Sequence, residues 1–411
     1  MPRLFRLLTV AVLCPGAWAQ PAAAPPGEPA PVASAVDRGA ATRALAATEL
    51  ERQKLVGLSV AVARDGKVVL EEHLGFEDRE AKVPAGAATM YRWASISKPV
   101  TAAAAMQLVE AGRLDLDADV RTLVPEFPEP VYTPQPKSGA PDVVAVQASP
   151  VRCVVTMRQL LCHQGGIVHY GNGKVVKLRA SEGVANPYAD VVRALDTFKQ
   201  SPLVCEPGTK YSYTTHGYIL ASAVVERAAG RSFWAQVRER IAVPAGMTTF
   251  RPDYQWEKIE HRAVGYRKGA GGEMVRSTDT DVSWKLGGGG FISTAGDLAR
   301  FGTALMGGKL VKPETFVRMR TAQRLANGDA TTYGLGLGVG RLADRDTASH
   351  SGSQEKAATY LLMMPGEGLA VAVMCNTEGA SLGKLAESVA KAWLTAAVGQ
   401  GQGNRAVETA K

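Results

Sequence analysis

YRWASISKPVTAAAAMQLVEAG, residues Tyr91 to Gly112, sets a serine and a lysine three positions apart at the entrance of an alanine-rich segment. Pro99 limits where a helix can begin, because its ring clashes with the carbonyl four residues earlier. A helix from Ser95 to Glu110, closed by Gly112, respects that limit and puts Ser95 at its N-terminus. Residues three apart share one helix face, so Lys98 reaches Ser95 from one turn away. A serine hydroxyl is a weak nucleophile until a neighbouring base takes its proton. Lysine, titrating at roughly 10.4 when unperturbed, is no such base. Burial among Trp93, Ile96 and Val100, or a nearby cation, lowers that value. Unpaired N–H groups at the helix start suit the oxyanion of acyl transfer. The competing reading makes Ser95 a plain N-cap. Ser-x-x-Lys recurs at Ser353/Lys356, Ser381/Lys384 and Ser388/Lys391, but none of those pairs joins a helix start to this setting.

Working outward, GLSVAVARDGKVVLEEHLG (57–75) reads as two strands turning at Asp65-Gly66. TYLLMMPGEGLAVAVMCN (359–376) reads as a second hairpin, followed by a closing helix in LGKLAESVAKAWLTAAV (382–398). Helical patterns fall at Val36–Leu55, Met157–Leu161, Tyr188–Lys199, Tyr218–Ala229 and Thr294–Met306. Residues 125–150 are Pro-rich and aperiodic, as a surface loop would be. The expected class is α+β: an antiparallel sheet built from both chain ends, flanked by helices, with a mainly helical insertion between them.

The 411 residues are 46% hydrophobic and 21% charged, ordinary for a globular protein with a sizeable core. Arg3 and Arg6, an apolar stretch and Ala17-Trp18-Ala19 have the pattern of a secretory signal cleaved after Ala19. Residues 1–19 are thus expected to be a signal peptide and 20–35 a Pro/Ala-rich linker. Residues 36–397 would form one domain and 398–411 a tail. Export implies a periplasmic or secreted protein. Losing Arg3 and Arg6 takes the net charge from +8 to +6. No Lys/Arg block with interleaved aromatics supports nucleic-acid binding. The basic balance allows contact with an anionic cell envelope. Cys153, Cys162, Cys205 and Cys375 remain after cleavage, with at most one bridge expected, among the first three. No Cys/His spacing resembles a zinc site, and neither metal nor cofactor is expected.

SISK (95–98), PGTKYSY (207–213) and HSG (350–352) together resemble the serine beta-lactamase and penicillin-binding peptidase superfamily. MRQLLCHQGGI, GGGGFISTAGDLARFG and YGLGLGVG extend the likeness from about Val36 to Ala397 in the order of that superfamily. DLDADVRTLVPEFPE, GIVHY and Tyr211-Ser212-Tyr213 are most similar to its mitochondrial beta-lactamase-like branch.

The resemblance implies that Ser95 is acylated, Lys98 accepts its proton and Tyr211 passes protons to the leaving group. It places His350 beside the substrate, and the N–H groups of Ser95 and Ser353 in an oxyanion hole that Gly352 keeps open. Tyr213 would stand where the superfamily carries an asparagine that binds the lysine and the substrate's acylamino group. Beta-lactam hydrolysis should then be weak. His163 reads as a buried structural residue and His216 is left undecided. Gly287–Gly290 read as the floor of the cleft. The expectation is an exported serine hydrolase acting on amide, peptide or ester bonds through an acyl-enzyme, with a small molecule or peptide as substrate. A D,D-peptidase or true beta-lactamase, and a catalytically weak binding or filament-forming module, stay open.

Overall fold

Asp65 and Gly66 both take positive φ, 49° and 87°, in the turn between β1 (Gly57–Arg64) and β2 (Lys67–Asp78). A left-handed pair matches the twist of the strands it joins, so the chain reverses within two residues. The other strands of the main sheet are β3 (Val83–Pro84), β4 (Gly338–Leu342), β5 (Arg345–Gln354), β6 (Ala357–Met364) and β7 (Leu369–Cys375). Their order is β4-β5-β6-β7-β1-β2-β3, antiparallel throughout. Pairing of β1 with β7, from Leu58↔Cys375 to Arg64↔Leu369, joins the two ends of the chain. This computed structural model describes residues 35–134, 149–170 and 185–394. The expected signal peptide, the linker up to residue 34 and the tail lie outside those residues.

The longer helices are α1 (Ala35–Gln53), α2 (Ser97–Glu110), α3 (His216–Ala229), α4 (Ala295–Met306) and α5 (Gly383–Trp393). Strand alternation divides the sheet between two layers. Leu58, Val60 and Val62 pack with Val371 and Val373 against Ala46 of α1 and Leu385, Val389 and Trp393 of α5. Ala61, Ala63, Ala370 and Ala372 face the opposite core, which holds Leu298 and Phe301 of α4. The same core holds α2, buried from Ser97 to Leu108. A helix apolar on every side has to be enclosed, and Ala102 to Ala105 are small enough for neighbours to close in.

Three local expectations change. The α-helix begins at Ser97, while Ala94–Ile96 form a 3₁₀ turn, so Ser95 precedes the helix proper. Pro99 then occupies the first helical turn, where a missing N–H breaks no bond. Tyr188–Lys199 is not one helix but two 3₁₀ turns, Pro187–Ala189 and Arg193–Thr197. Asp190 causes the break by accepting the N–H groups of Val192 (2.9 Å) and Arg193 (2.8 Å), which competes with a continuous helix. In the Pro-rich stretch, Val131–Tyr132 pairs with Val151–Arg152, and residues 135–148 between them lie outside the described residues. The four cysteines from Cys153 onward carry free thiols.

A buried ion pair ties the approach to Ser95 to the surrounding loops. Arg92 Nε donates to Asp253 Oδ2 at 2.6 Å, with the two side chains 3% and 0% exposed. The remaining guanidinium N–H groups donate to the Thr280 carbonyl (2.7 Å), the Thr280 hydroxyl (3.2 Å) and the Glu355 carbonyl (3.4 Å). Arg262 lies 3.1 Å from the other Asp253 oxygen. Truncating Arg92 leaves the buried carboxylate with Arg262 alone and two carbonyls without their guanidinium donor. Arg92→Leu should therefore lower the unfolding free energy by about 3–5 kcal/mol in urea titrations, and a loss below about 1 kcal/mol would show the pair to be dispensable.

Candidate active site

Tyr91 and Arg92 pair with Ser293 and Ile292, which fixes the chain leading to Ser95. Trp93 N–H donates to the Phe291 carbonyl at 2.8 Å, and the Trp93 carbonyl accepts from the Thr359 hydroxyl of β6 at 3.0 Å. Held on both sides, the chain turns at Ala94 with φ at 49°, a left-handed conformation unusual for a residue with a Cβ. Such strain persists only where the surroundings over-determine it, and here it presents Ser95 to a cavity. Gly352 on β5 completes the enclosure. A Cβ there would lie 2.1 Å from Thr359 Oγ1 and 2.6 Å from the Trp93 carbonyl oxygen. Ser353, the next residue, lines the same cavity as Ser95.

Lys98 is fully buried, and its amine has three neighbours. Nζ lies 3.0 Å from Ser95 Oγ, 3.2 Å from Thr215 Oγ1 and 2.8 Å from the Gly288 carbonyl oxygen. Burial, and after it the charge of Lys285, holds its pKa well below the ordinary lysine value. A neutral amine has two N–H groups and one lone pair. Thr215 Oγ1 and the Gly288 carbonyl accept the two protons, which leaves the lone pair for the Ser95 hydroxyl. The approach of Gly288 depends on its missing side chain, since a Cβ would meet Thr215 Cγ2 at 2.5 Å. Gly288 and Gly289 also line the cavity, so these glycines serve packing and floor together.

The two tyrosines exchange places relative to expectation. Tyr213, not Tyr211, lines the cavity beside Ser95, and its ring centroid lies 4.9 Å from Lys98 Nζ. Burial raises the Tyr213 pKa and keeps the phenol protonated. Tyr211 is 36% exposed and packs against the rings of His163 and Tyr333. Thr215, two residues after Tyr213, takes the lysine contact expected of residue 213. His163 anchors this segment: its carbonyl accepts the Ser212 N–H (2.7 Å) and its Nδ1 accepts the Thr214 N–H (3.2 Å). Counted from those anchors, Tyr213 falls opposite Ser95. Tyr-x-Tyr and Tyr-x-Thr overlap in the sequence, and nothing local chooses between them.

His350 also departs from expectation, because it is not among the residues lining the cavity. On β5 it shares the buried face with Gly352, while Ser351 and Ser353 alternate to the other face. His350 Nε2 lies 2.8 Å from the Tyr333 hydroxyl, and burial pushes its pKa down to about 3. His216 stacks on Phe198 with Nδ1 3.1 Å from the Val168 carbonyl, a structural placement.

The cavity of 650 Å³ has one wall of Ser95, His169, Tyr170, Tyr213, Thr215 and Trp284. Lys285 lines it too, its amine 5.3 Å from the Tyr170 ring centroid. Sequence reasoning missed Thr215, His169, Tyr170 and Lys285. Thr215 carried a local signal, as a hydroxyl two residues after a tyrosine and just ahead of a helix, and His169 and Tyr170 lay in the GIVHY stretch without being singled out.

The model of the family described as Beta-lactamase matches residues 42–392. The chain belongs to the beta-lactamase family. Among its relatives, human mitochondrial serine beta-lactamase-like protein LACTB is 29% identical over 430 residues, covering 81% of this chain and 76% of that one. Esterase EstB of Burkholderia gladioli is 29% identical over 363 residues, covering 80% and 88%. The family fold is shared with the octameric penicillin-binding protein homologue from Pyrococcus abyssi (TM-score 0.67, 24% identity, 86% and 76% covered). It is shared equally with D-amino acid amidase from Ochrobactrum anthropi SV3 (TM-score 0.67, 20% identity, 87% and 98% covered).

The contacts of the two tyrosines yield a direct comparison. Tyr213→Phe should slow fluorophosphonate labelling of Ser95 by about 10²- to 10⁴-fold, the range for loss of a proton-transfer group. Tyr211→Phe should stay within about threefold of the parent, since surface changes away from the chemistry cost little. Labelling rates by intact-mass spectrometry decide it, and equal effects at both positions would refute the assignment.

Proposed function

We propose that this beta-lactamase-family protein is an exported serine hydrolase that cleaves ester or amide bonds through an acyl-enzyme on Ser95. The observation that carries this reading is the wholly buried Lys98 amine, with two acceptors for its protons and the Ser95 hydroxyl at its third position. As Lys98 takes the hydroxyl proton, Ser95 Oγ bonds to the carbonyl carbon and the carbonyl oxygen becomes an anion. Backbone N–H groups of Ser95 and Ser353 stabilise that anion. Its collapse breaks the bond to the leaving group, which receives the proton from Lys98 through Tyr213. Water then attacks the acyl-enzyme with the same groups acting in reverse order. The names of an esterase and an amidase among the relatives and fold neighbours support esters and amides as substrates. Export rests on the N-terminal pattern ending at Ala19, and the mass of secreted protein should begin at Gln20.

Fluorophosphonate should leave one adduct, absent in Ser95→Ala. No adduct on the parent protein would favour the binding-module reading, and an adduct persisting in the variant would reassign the nucleophile. The pH dependence has a definite sign. Lys98 acts only when deprotonated, so kcat/KM on p-nitrophenyl butyrate should rise as pH climbs through its lowered pKa. It should level off below the ordinary lysine value of 10.5. Lys98→Arg, which stays protonated, should cost about 10²- to 10⁴-fold at every pH tested.

A further inference from the structure

Gln107 lies near the end of α2 remote from Lys98 and is 8% exposed. Its Nε2 donates to the Arg240 carbonyl at 2.8 Å and to the Leu310 carbonyl at 2.7 Å. Both amide protons are thereby used, which fixes the orientation of the group. Its Oε1 is buried and has no partner among the described residues. A buried acceptor without a donor is costly, and such a group calls for an explanation.

A cavity of 370 Å³ stands over this side chain, lined by Gln107, Glu110, Arg240, Pro244, Lys309 and Lys312 among others. It shares no lining residue with the cavity at Ser95. Arg240, Lys309 and Lys312 are exposed, and among the described residues none of their side chains has a hydrogen-bond or ion-pair partner. Glu110 is the one carboxylate in the lining, and its Oε1 accepts the Lys312 backbone N–H at 2.7 Å. Three cations against one carboxylate give the lining a net charge of +2. Cations beside the C-terminus of α2 also complement its free carbonyls. That accounts for the lysines and the arginine but leaves the amide oxygen next to them unsatisfied.

We propose that this cavity binds a phosphate group, as inorganic phosphate or a singly protonated phosphomonoester, through Arg240, Lys309, Lys312 and the Gln107 oxygen. The three cations meet the anionic oxygens, and Gln107 Oε1 accepts the P–O–H proton. Charge alone would admit any small anion. Only one that carries its own O–H also satisfies the amide. Sulfate has the same shape but no O–H at neutral pH, so it gains from the cations alone. The site is separate from the chemistry at Ser95, and its test requires no turnover.

The full chain, labelled with ¹⁵N, is titrated with sodium phosphate and with sodium sulfate at pH 7, ionic strength being held constant with sodium chloride because exposed charges are screened by salt. The backbone N–H signals of Ala111 and Leu310 report binding. Phosphate should shift them saturably and bind about tenfold to a hundredfold more tightly than sulfate, the effect of one hydrogen bond to a buried acceptor. This comparison on the unaltered protein carries the test even if a variant at Gln107 fails to fold. Gln107→Met keeps the bulk and removes the oxygen, so it should bring phosphate down to the level of sulfate. Lys309→Gln combined with Lys312→Gln should weaken both anions and keep phosphate ahead. Equal affinities for the two anions in the parent would reduce the cavity to a plain cationic patch and overturn the proposal. So would the absence of any saturable shift with phosphate.

Vesicles of phosphatidylcholine containing phosphatidic acid separate the two sources of a phosphomonoester. Co-sedimentation that inorganic phosphate displaces assigns a lipid headgroup to the site. Phosphate binding in solution without co-sedimentation assigns a free ligand.

Discussion

An amine removed from water governs this site. A buried ammonium without compensation is costly, and a neutral amine still needs an acceptor for each N–H group. Lys98 finds its acceptors in Thr215 and Gly288, which come from separate segments of the chain. Each approach sets conditions elsewhere. Residue 288 must lack a Cβ, His163 must anchor residues 212–214, and α2 must be thin enough to be enclosed. The helix that supplies the lysine is for this reason an alanine helix.

The opposite wall belongs to the sheet. Gly352 lets β5 run against the turn that carries Ser95, and the bond from Thr359 to the Trp93 carbonyl fastens β6 to the same turn. Arg92, one residue upstream, binds carbonyls of Thr280 and Glu355, both on the cavity rim. The left-handed Ala94 is held between these attachments. Strain at the residue before Ser95 is thus sustained by the junction of the two layers. Fold membership does not fix the reaction, because one scaffold hosts several hydrolytic chemistries. The walls around the serine include Thr215, His169, Tyr170 and Lys285.

The sequence by itself determined most of the elements and the pairing of Ser95 with Lys98. Hairpins followed from Asp65-Gly66 and from the alternating strands near the C-terminus, because period-two burial and left-handed turns are local properties. Ser95 and Lys98 were legible because a helix start and a three-residue spacing are local too. Only the tertiary structure decided which tyrosine meets the serine. Tyr211 and Tyr213 both fit the motif, and the choice came from His163, some fifty residues earlier, gripping the backbone on either side of Tyr213. His350 likewise looked placed for substrate, yet the pleat of β5 turned it to the buried face with Gly352. Such contacts join residues far apart in the chain, and their geometry is set by packing between layers, which no spacing along one segment encodes.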